Sequence, residues 1–141
     1  MMPITVTKVS DAQRLNFLPS MFGSTMMRAE ALLFNYAEQL APDSYRGGYW
    51  DYYKTSNDTG YAAPSTPERY KLAVQGNGFE GEMSNDAAGI VFTLYVFNQL
   101  CHQTHARGLH ELSEELADRY YALREYAMQH AERGLILHAI D

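Results

Sequence analysis

Apolar positions along the chain repeat with two periods, and the change from one to the other marks the elements. Met26, Ala29, Leu33, Tyr36 and Leu40 recur at helical spacing. They predict an amphipathic helix over about 25–41, capped by Ser24 or Thr25 and stopped before Pro42. Upstream, Ile4 to Val9 reads as a short β-like stretch, and Asp11 to Leu18 as a helical turn ended by Pro19. Over residues 45–84 the period becomes two. Tyr45 to Tyr53 is β-rich in composition, Asn57-Asp58-Thr59-Gly60 is a turn, Tyr61 to Pro64 is a short strand, and Pro64 to Pro67 turns the chain again. Tyr70, Leu72 and Val74 then alternate with Arg69, Lys71 and Gln75, and Phe79, Gly81 and Met83 with Glu80 and Glu82. The Asn77-Gly78 pair between these runs predicts a two-residue hairpin turn, with Leu72 opposite Met83 and Lys71 diagonal to Glu82. Together these strands predict a short four-stranded antiparallel meander over about 45–84, one face covered by helices.

Ser84 or Asn85 caps the next helix, predicted over about 85–104, and Asp86 suits its first turn. Ile90, Val91, Leu94, Tyr95, Val96, Phe97 and Leu100 surround most of its circumference, the mark of a buried helix. Its most apolar stretch, Ala87 to Phe97, is too short to span a bilayer. Beyond Gly108, the residues Leu109, Leu112, Leu116, Tyr120, Leu123 and Ala127 line one face of a last helix over about 109–132. Glu115 and Arg119 are spaced for a surface pair, and Gly134 is placed to end that helix. The tail Leu135-Ile136-Leu137 is too apolar to stay in water and should dock back on the fold. The class is α+β, with one domain over 1–141. No long linker, repeat or low-complexity tract divides it.

With 46% hydrophobic and 20% charged residues among 141, the chain can build a core without a metal or disulfide staple. Cys101 is the only cysteine, which excludes an internal disulfide and fits a reducing cytoplasm. Met1-Met2-Pro3-Ile4-Thr5 has no charged region before an apolar run, so no signal peptide is expected. The formal net charge of −6 argues against a general phosphate-binding surface, and hence against direct nucleic-acid binding. It leaves open an acidic surface that imitates DNA.

Motifs with chemistry are few. Gly76-Asn77-Gly78-Phe79-Glu80-Gly81 matches a dinucleotide-binding pattern letter for letter, but here the glycines join two strands instead of leading a strand into a helix. No cofactor is expected. Cys101, His102, His105 and His110 resemble a metal cluster, yet no second ligand pair stands at zinc-finger spacing. They read as a polar helix end, and no metal site is expected. Cys101 falls in an apolar helical pattern, not at a helix N-terminus that would activate a thiol. No nucleophile elbow or phosphate loop is present. In Tyr49-Trp50-Asp51-Tyr52-Tyr53, aromatic residues occupy both faces of one strand, more than a single core needs. Either one set lies outside as binding anchors, or the strand is buried on both sides.

Four segments stand in a telling order: Phe17-Leu18-Pro19-Ser20-Met21-Phe22-Gly23, then Tyr45 to Tyr53, then Met83-Ser84-Asn85-Asp86-Ala87-Ala88-Gly89-Ile90, then Glu132 to Asp141. With Ser56-Asn57 and Ala63-Pro64 between them, they resemble the KlcA/ArdB antirestriction family over nearly the whole chain. Members often carry Ser-Asn-Gly-Gly, an aromatic pair and Met-Ala-Pro where this chain has Ser56 to Pro64. They often have Ala at the place of Asn85. The resemblance implies a small α/β fold carried by plasmids and other mobile elements. It implies a non-enzymatic inhibitor that protects incoming DNA from type I restriction-modification enzymes, acting through the restriction complex or a host factor linked to it.

On that likeness, Arg14, Glu30, Trp50 and Asp51 are the candidate partner-binding residues. Arg14 and Glu30 are charges beside the N-terminal motif, and Trp50 anchors the aromatic run. The bland alternative is that Arg14 and Glu30 pair with each other and that Trp50 fills the core. Two other functions stay in view. One is a DNA mimic using Glu111, Glu114, Glu115 and Asp118, a short row that Arg119 and Arg124 interrupt. The other is a hydrolase, for which no constellation is evident. Short edge strands favour a monomer.

Overall fold

The computed structural model describes residues 2–141, so Met1 of the N-terminal segment lies outside the described residues. Its centre is helix α3 (Asn85–Ala106), apolar on nearly every face and buried from Ala87 through Leu94. Ser84 caps it: the backbone is extended there, and the hydroxyl accepts from the Ala87 amide at 3.1 Å. A three-stranded antiparallel sheet, β1 (Val6–Lys8), β2 (Trp50–Thr55) and β3 (Gly60–Pro64), packs against α3 in the order β1-β2-β3. Gly89 allows the close approach. A Cβ there would stand 2.3 Å from Ala63 Cβ and 2.5 Å from the Ala62 carbonyl oxygen.

The predicted single meander is two sheets. The short N-terminal strand joins the aromatic strand, and β4 (Arg69–Val74) pairs only with β5 (Phe79–Ser84). The physical reason lies on the far edge of β3, where the Ala62 amide donates to Thr93 Oγ1 of α3 at 3.2 Å. That edge is taken by a helix, so β4 has nowhere to pair. The hairpin register also differs. Val74 faces Phe79, Tyr70 faces Met83 and Lys71 faces Glu82 directly. A two-residue turn of the predicted type needs positive φ at both central residues. Only Gly78 has it, at 72°, so the loop widens to four residues. The slip is by two positions and leaves every side chain on its expected face.

Three helix boundaries move as well. Pro19 lies inside α1 (Arg14–Phe22) instead of ending it, and Gly23, at φ 56°, closes the helix by donating to the Pro19 carbonyl. Helix α2 (Met26–Leu40) has no side-chain cap from Thr25, whose hydroxyl turns back to the Phe22 carbonyl at 2.6 Å. The last helix, predicted over about 109–132, ends early as α4 (His110–Ala127), and the tail read as docking back forms a helix of its own, α5 (Arg133–Ile140). Gly134 sits in the first turn of α5. The apolar tail does dock back, with Ile136 and Ala139 fully buried.

Candidate interaction surface

Arg14 opens α1, and its guanidinium lies over two rings of the aromatic segment, 4.2 Å from Tyr49 and 4.6 Å from Tyr52. Tyr52 is fixed in turn by stacking on Phe17, with centroids 4.5 Å apart and planes 6° from parallel. Such a cation–π stack fixes a charge without neutralising it. Glu30, exposed on α2, shares one groove of about 250 Å³ with Arg14, Leu15, Leu18, Met27 and Tyr52. Both charges act on the Tyr52 phenol. Burial raises its pKa foremost; Arg14 lowers it and Glu30 raises it. Among the described residues, neither Arg14 nor Glu30 has an ion-pair partner, and they do not pair with each other. Leu15 is 92% exposed and Met27 79% exposed at the rim. Large apolar side chains left this open, beside two uncompensated charges, suit a protein-binding face.

Of the four candidate residues, the fold brings Arg14 and Glu30 together and separates the others. Trp50 is a correction. It is 5% exposed, enclosed by Phe34, Tyr45 and Phe92, and its indole N–H donates to the Tyr45 hydroxyl at 3.1 Å. Its ring belongs to the core, not to the exposed surface. Asp51 alternates to the opposite face of β2, where it pairs with Lys8 at 3.4 Å. The aromatic strand is thus neither wholly buried nor open. Tyr49 is 57% exposed, and Tyr52 and Tyr53 are half-buried. The sequence pattern passed over Leu15 and Met27, whereas Tyr49 belongs to the aromatic run it marked. The available signal was that Met27 lies off the apolar face defined by Met26, Ala29 and Leu33.

A family model described as antirestriction protein matches residues 43–141. Two antirestriction proteins KlcA of Escherichia coli are 45% and 44% identical, each over 99% of this chain and over 94% and 96% of their own lengths. The chain belongs to the antirestriction protein family. Among solved structures it is similar to one at TM-score 0.87 and 43% identity, covering 99% of this chain and 96% of that one. That work describes KlcA and ArdB as having a novel fold and activity against type I DNA restriction systems in vivo but not in vitro. The family match starts at residue 43, so it contains Trp50 and Asp51 but not Arg14 or Glu30. The KlcA relatives align across both regions.

In this antirestriction protein the other polar constellation is a staple. Tyr61 donates to Asp86 Oδ1 at 2.7 Å, and His130 Nε2 meets Asp86 Oδ2 at 2.8 Å. Burial opposes charge on Asp86, but hydrogen bonds from His130 and Tyr61 outweigh it and hold the carboxyl below its ordinary pKa. His130 Nδ1 accepts from the Glu132 amide at 2.9 Å, and Glu132 takes both the amide and the hydroxyl of Ser84. Both imidazole nitrogens are occupied and the Ser84 hydroxyl is committed, so the geometry of a base activating a nucleophile is not met. The Gly76–Gly81 run forms the hairpin loop and the start of β5, not a strand-to-helix turn. Cys101 turns to the Ser113 carbonyl at 3.4 Å, while His105 and His110 meet at 3.3 Å. Among the described residues, no group of three His, Cys, Asp or Glu is placed to hold a metal ion. Nor is any helix long and apolar enough to cross a membrane.

Proposed function

We propose that this chain counteracts type I restriction-modification without catalysis, by docking a protein on the groove between α1, α2 and the aromatic strand. The observation that carries this reading is the pair of unpartnered charges, Arg14 and Glu30, set around exposed Leu15 and Met27. A surface of that kind offers an apolar anchor and fixes orientation by charge. The partner is the restriction complex or a host factor linked to it. The relatives' activity in vivo but not in vitro favours a component that a purified reaction lacks. On this reading the protein is a cytoplasmic monomer, plasmid-encoded like the proteins it resembles, and needs no cofactor.

The test is protection of unmodified DNA in cells carrying a type I enzyme. Arg14→Ala and Glu30→Ala should each lower protection by about tenfold or more, as loss of an anchoring contact does, and Leu15→Glu should do the same by placing a charge where the apolar contact forms. Circular dichroism should match the parent. Thermal melts should match for Glu30→Ala and Leu15→Glu, and fall for Arg14→Ala by no more than the loss of its stack on Tyr49 and Tyr52, about 0.5–1 kcal/mol. Folded variants that protect fully would remove this surface from consideration.

A further inference from the structure

The three-stranded sheet has one covered edge and one open edge. Thr93 of α3 closes the β3 side, as the Ala62 hydrogen bond shows. On the other side lies β1, all three of whose residues are exposed. Its pairing with β2 decides which backbone groups are engaged. The Val9 amide donates to the Tyr52 carbonyl, and the Ser56 amide donates to the Thr5 carbonyl, both at 2.8 Å. Thr7 faces Lys54 midway between them. In an antiparallel pair, alternate residues exchange hydrogen bonds and those between point away. Thr5, Thr7 and Val9 therefore bond inward, while the N–H and C=O of Val6 and Lys8 face outward. Upstream, the Ile4 amide is occupied by Gln129 Oε1 at 2.7 Å, which bounds the open stretch.

Beside this edge runs a groove of about 540 Å³. It is lined by hydroxyls and amides, including Thr5, Thr7, Gln13 and Ser56, and by two lysines, Lys8 and Lys54. No carboxylate lines it. In a chain of formal net charge −6 this is a local reversal of sign. A lysine on a short edge strand can merely discourage pairing. Here, however, a second lysine and a hydroxyl-lined trench lie alongside.

We propose that the β1 edge docks an extended segment of a partner protein bearing acidic side chains, which adds to the sheet as a further strand. This rests on the reading that the chain works by binding protein. Val6 and Lys8 supply the main-chain hydrogen bonds, as in strand addition generally. Lys54 supplies the charge that selects acidic side chains, joined by Lys8, whose only ion pair among the described residues is with Asp51 at 3.4 Å. The surface is separate from the Arg14–Glu30 groove.

Two variants isolate the edge. Val6→Pro removes an amide that no internal bond uses, so it blocks the edge and spares the ladder to β2. Lys54→Glu reverses the groove's charge. The probe is a short peptide of alternating glutamate and valine, followed by amide hydrogen exchange in the full chain. Exchange at Val6 and Lys8 should slow with this peptide, and not with its lysine–valine counterpart or with single-stranded DNA. Val6→Pro and Lys54→Glu should abolish the effect and lower protection in cells by about tenfold. Unchanged exchange at both amides in millimolar peptide, or an equal response to the lysine peptide or DNA, overturns the proposal. So does protection of the edge by self-association without peptide, which would assign it to a second copy. If Arg14→Ala loses protection while Val6→Pro keeps it, the docking groove stands and the edge does not.

Discussion

At the residue scale, one carboxylate holds together elements that are far apart in sequence. Asp86, in the first turn of α3, receives Tyr61 from β3 and meets His130 from the segment before α5. The sequence marked Asp86 only as a favourable first-turn charge, because neither partner lies near it along the chain. Its position below the ordinary carboxylate pKa has a stability consequence of definite sign. A group whose folded pKa is depressed binds its proton more readily in the unfolded chain. It therefore contributes stability that is present above the unfolded value, about 3.9, and lost as pH falls through the folded one. Asp86→Asn should flatten the acid side of the stability profile below about pH 4 and lower stability at neutral pH. Chemical denaturation of both proteins across the acid range measures it. An acid limb as steep in Asp86→Asn as in the parent would show that other carboxylates set it.

At the element scale, what could be read in the chain was whatever depends on neighbours a few residues away. The period of α2, the all-round apolar surface of α3 and the faces of β4 and β5 are local, and they stand. The division into two sheets was not legible, because it depends on Thr93 occupying the β3 edge across 31 residues. Trp50 failed for a related reason: alternation puts it on a face, but only packing by Phe34 and Phe92 decides that the face is closed. Arg14 and Glu30 were picked through family likeness, and their meeting in one groove is tertiary. Asn77 shows the same limit. It was read as a turn former, whereas its amide donates to the carbonyls of His138 (3.3 Å) and Ala139 (3.0 Å), and its oxygen accepts from the Phe79 amide (2.9 Å). The hairpin tip is tied to α5 by that side chain. Asn77→Ala should cost about 1–2 kcal/mol, the worth of such bonds at a partly exposed site. It should also speed amide exchange in α5 while α3 stays protected. An unchanged denaturation midpoint would show that apolar packing of Ile136 and Ala139 alone holds the helix.

At the scale of the whole molecule, the question is which part of an acidic surface acts. Glu111, Glu114, Glu115 and Asp118 are all exposed on α4, as a DNA mimic would require. They occupy one helix, and Glu115 lies 4.0 Å from Arg119, which dilutes the row. Imitation of a duplex needs charge repeated over a long surface, whereas docking in the Arg14–Glu30 groove needs only a local match. The two readings diverge when charge is removed without touching the groove. Glu111→Gln, Glu114→Gln and Asp118→Asn together move the formal net charge from −6 to −3. All three side chains are exposed, so the fold should be unaffected within about 0.5 kcal/mol per site. If docking is the mechanism, the triple variant protects unmodified DNA as well as the parent does, while Arg14→Ala does not. If charge imitation is the mechanism, the order reverses, and the loss deepens as salt screens the remaining carboxylates. Side-by-side transfer of unmodified DNA into restricting cells, at matched protein levels, separates them.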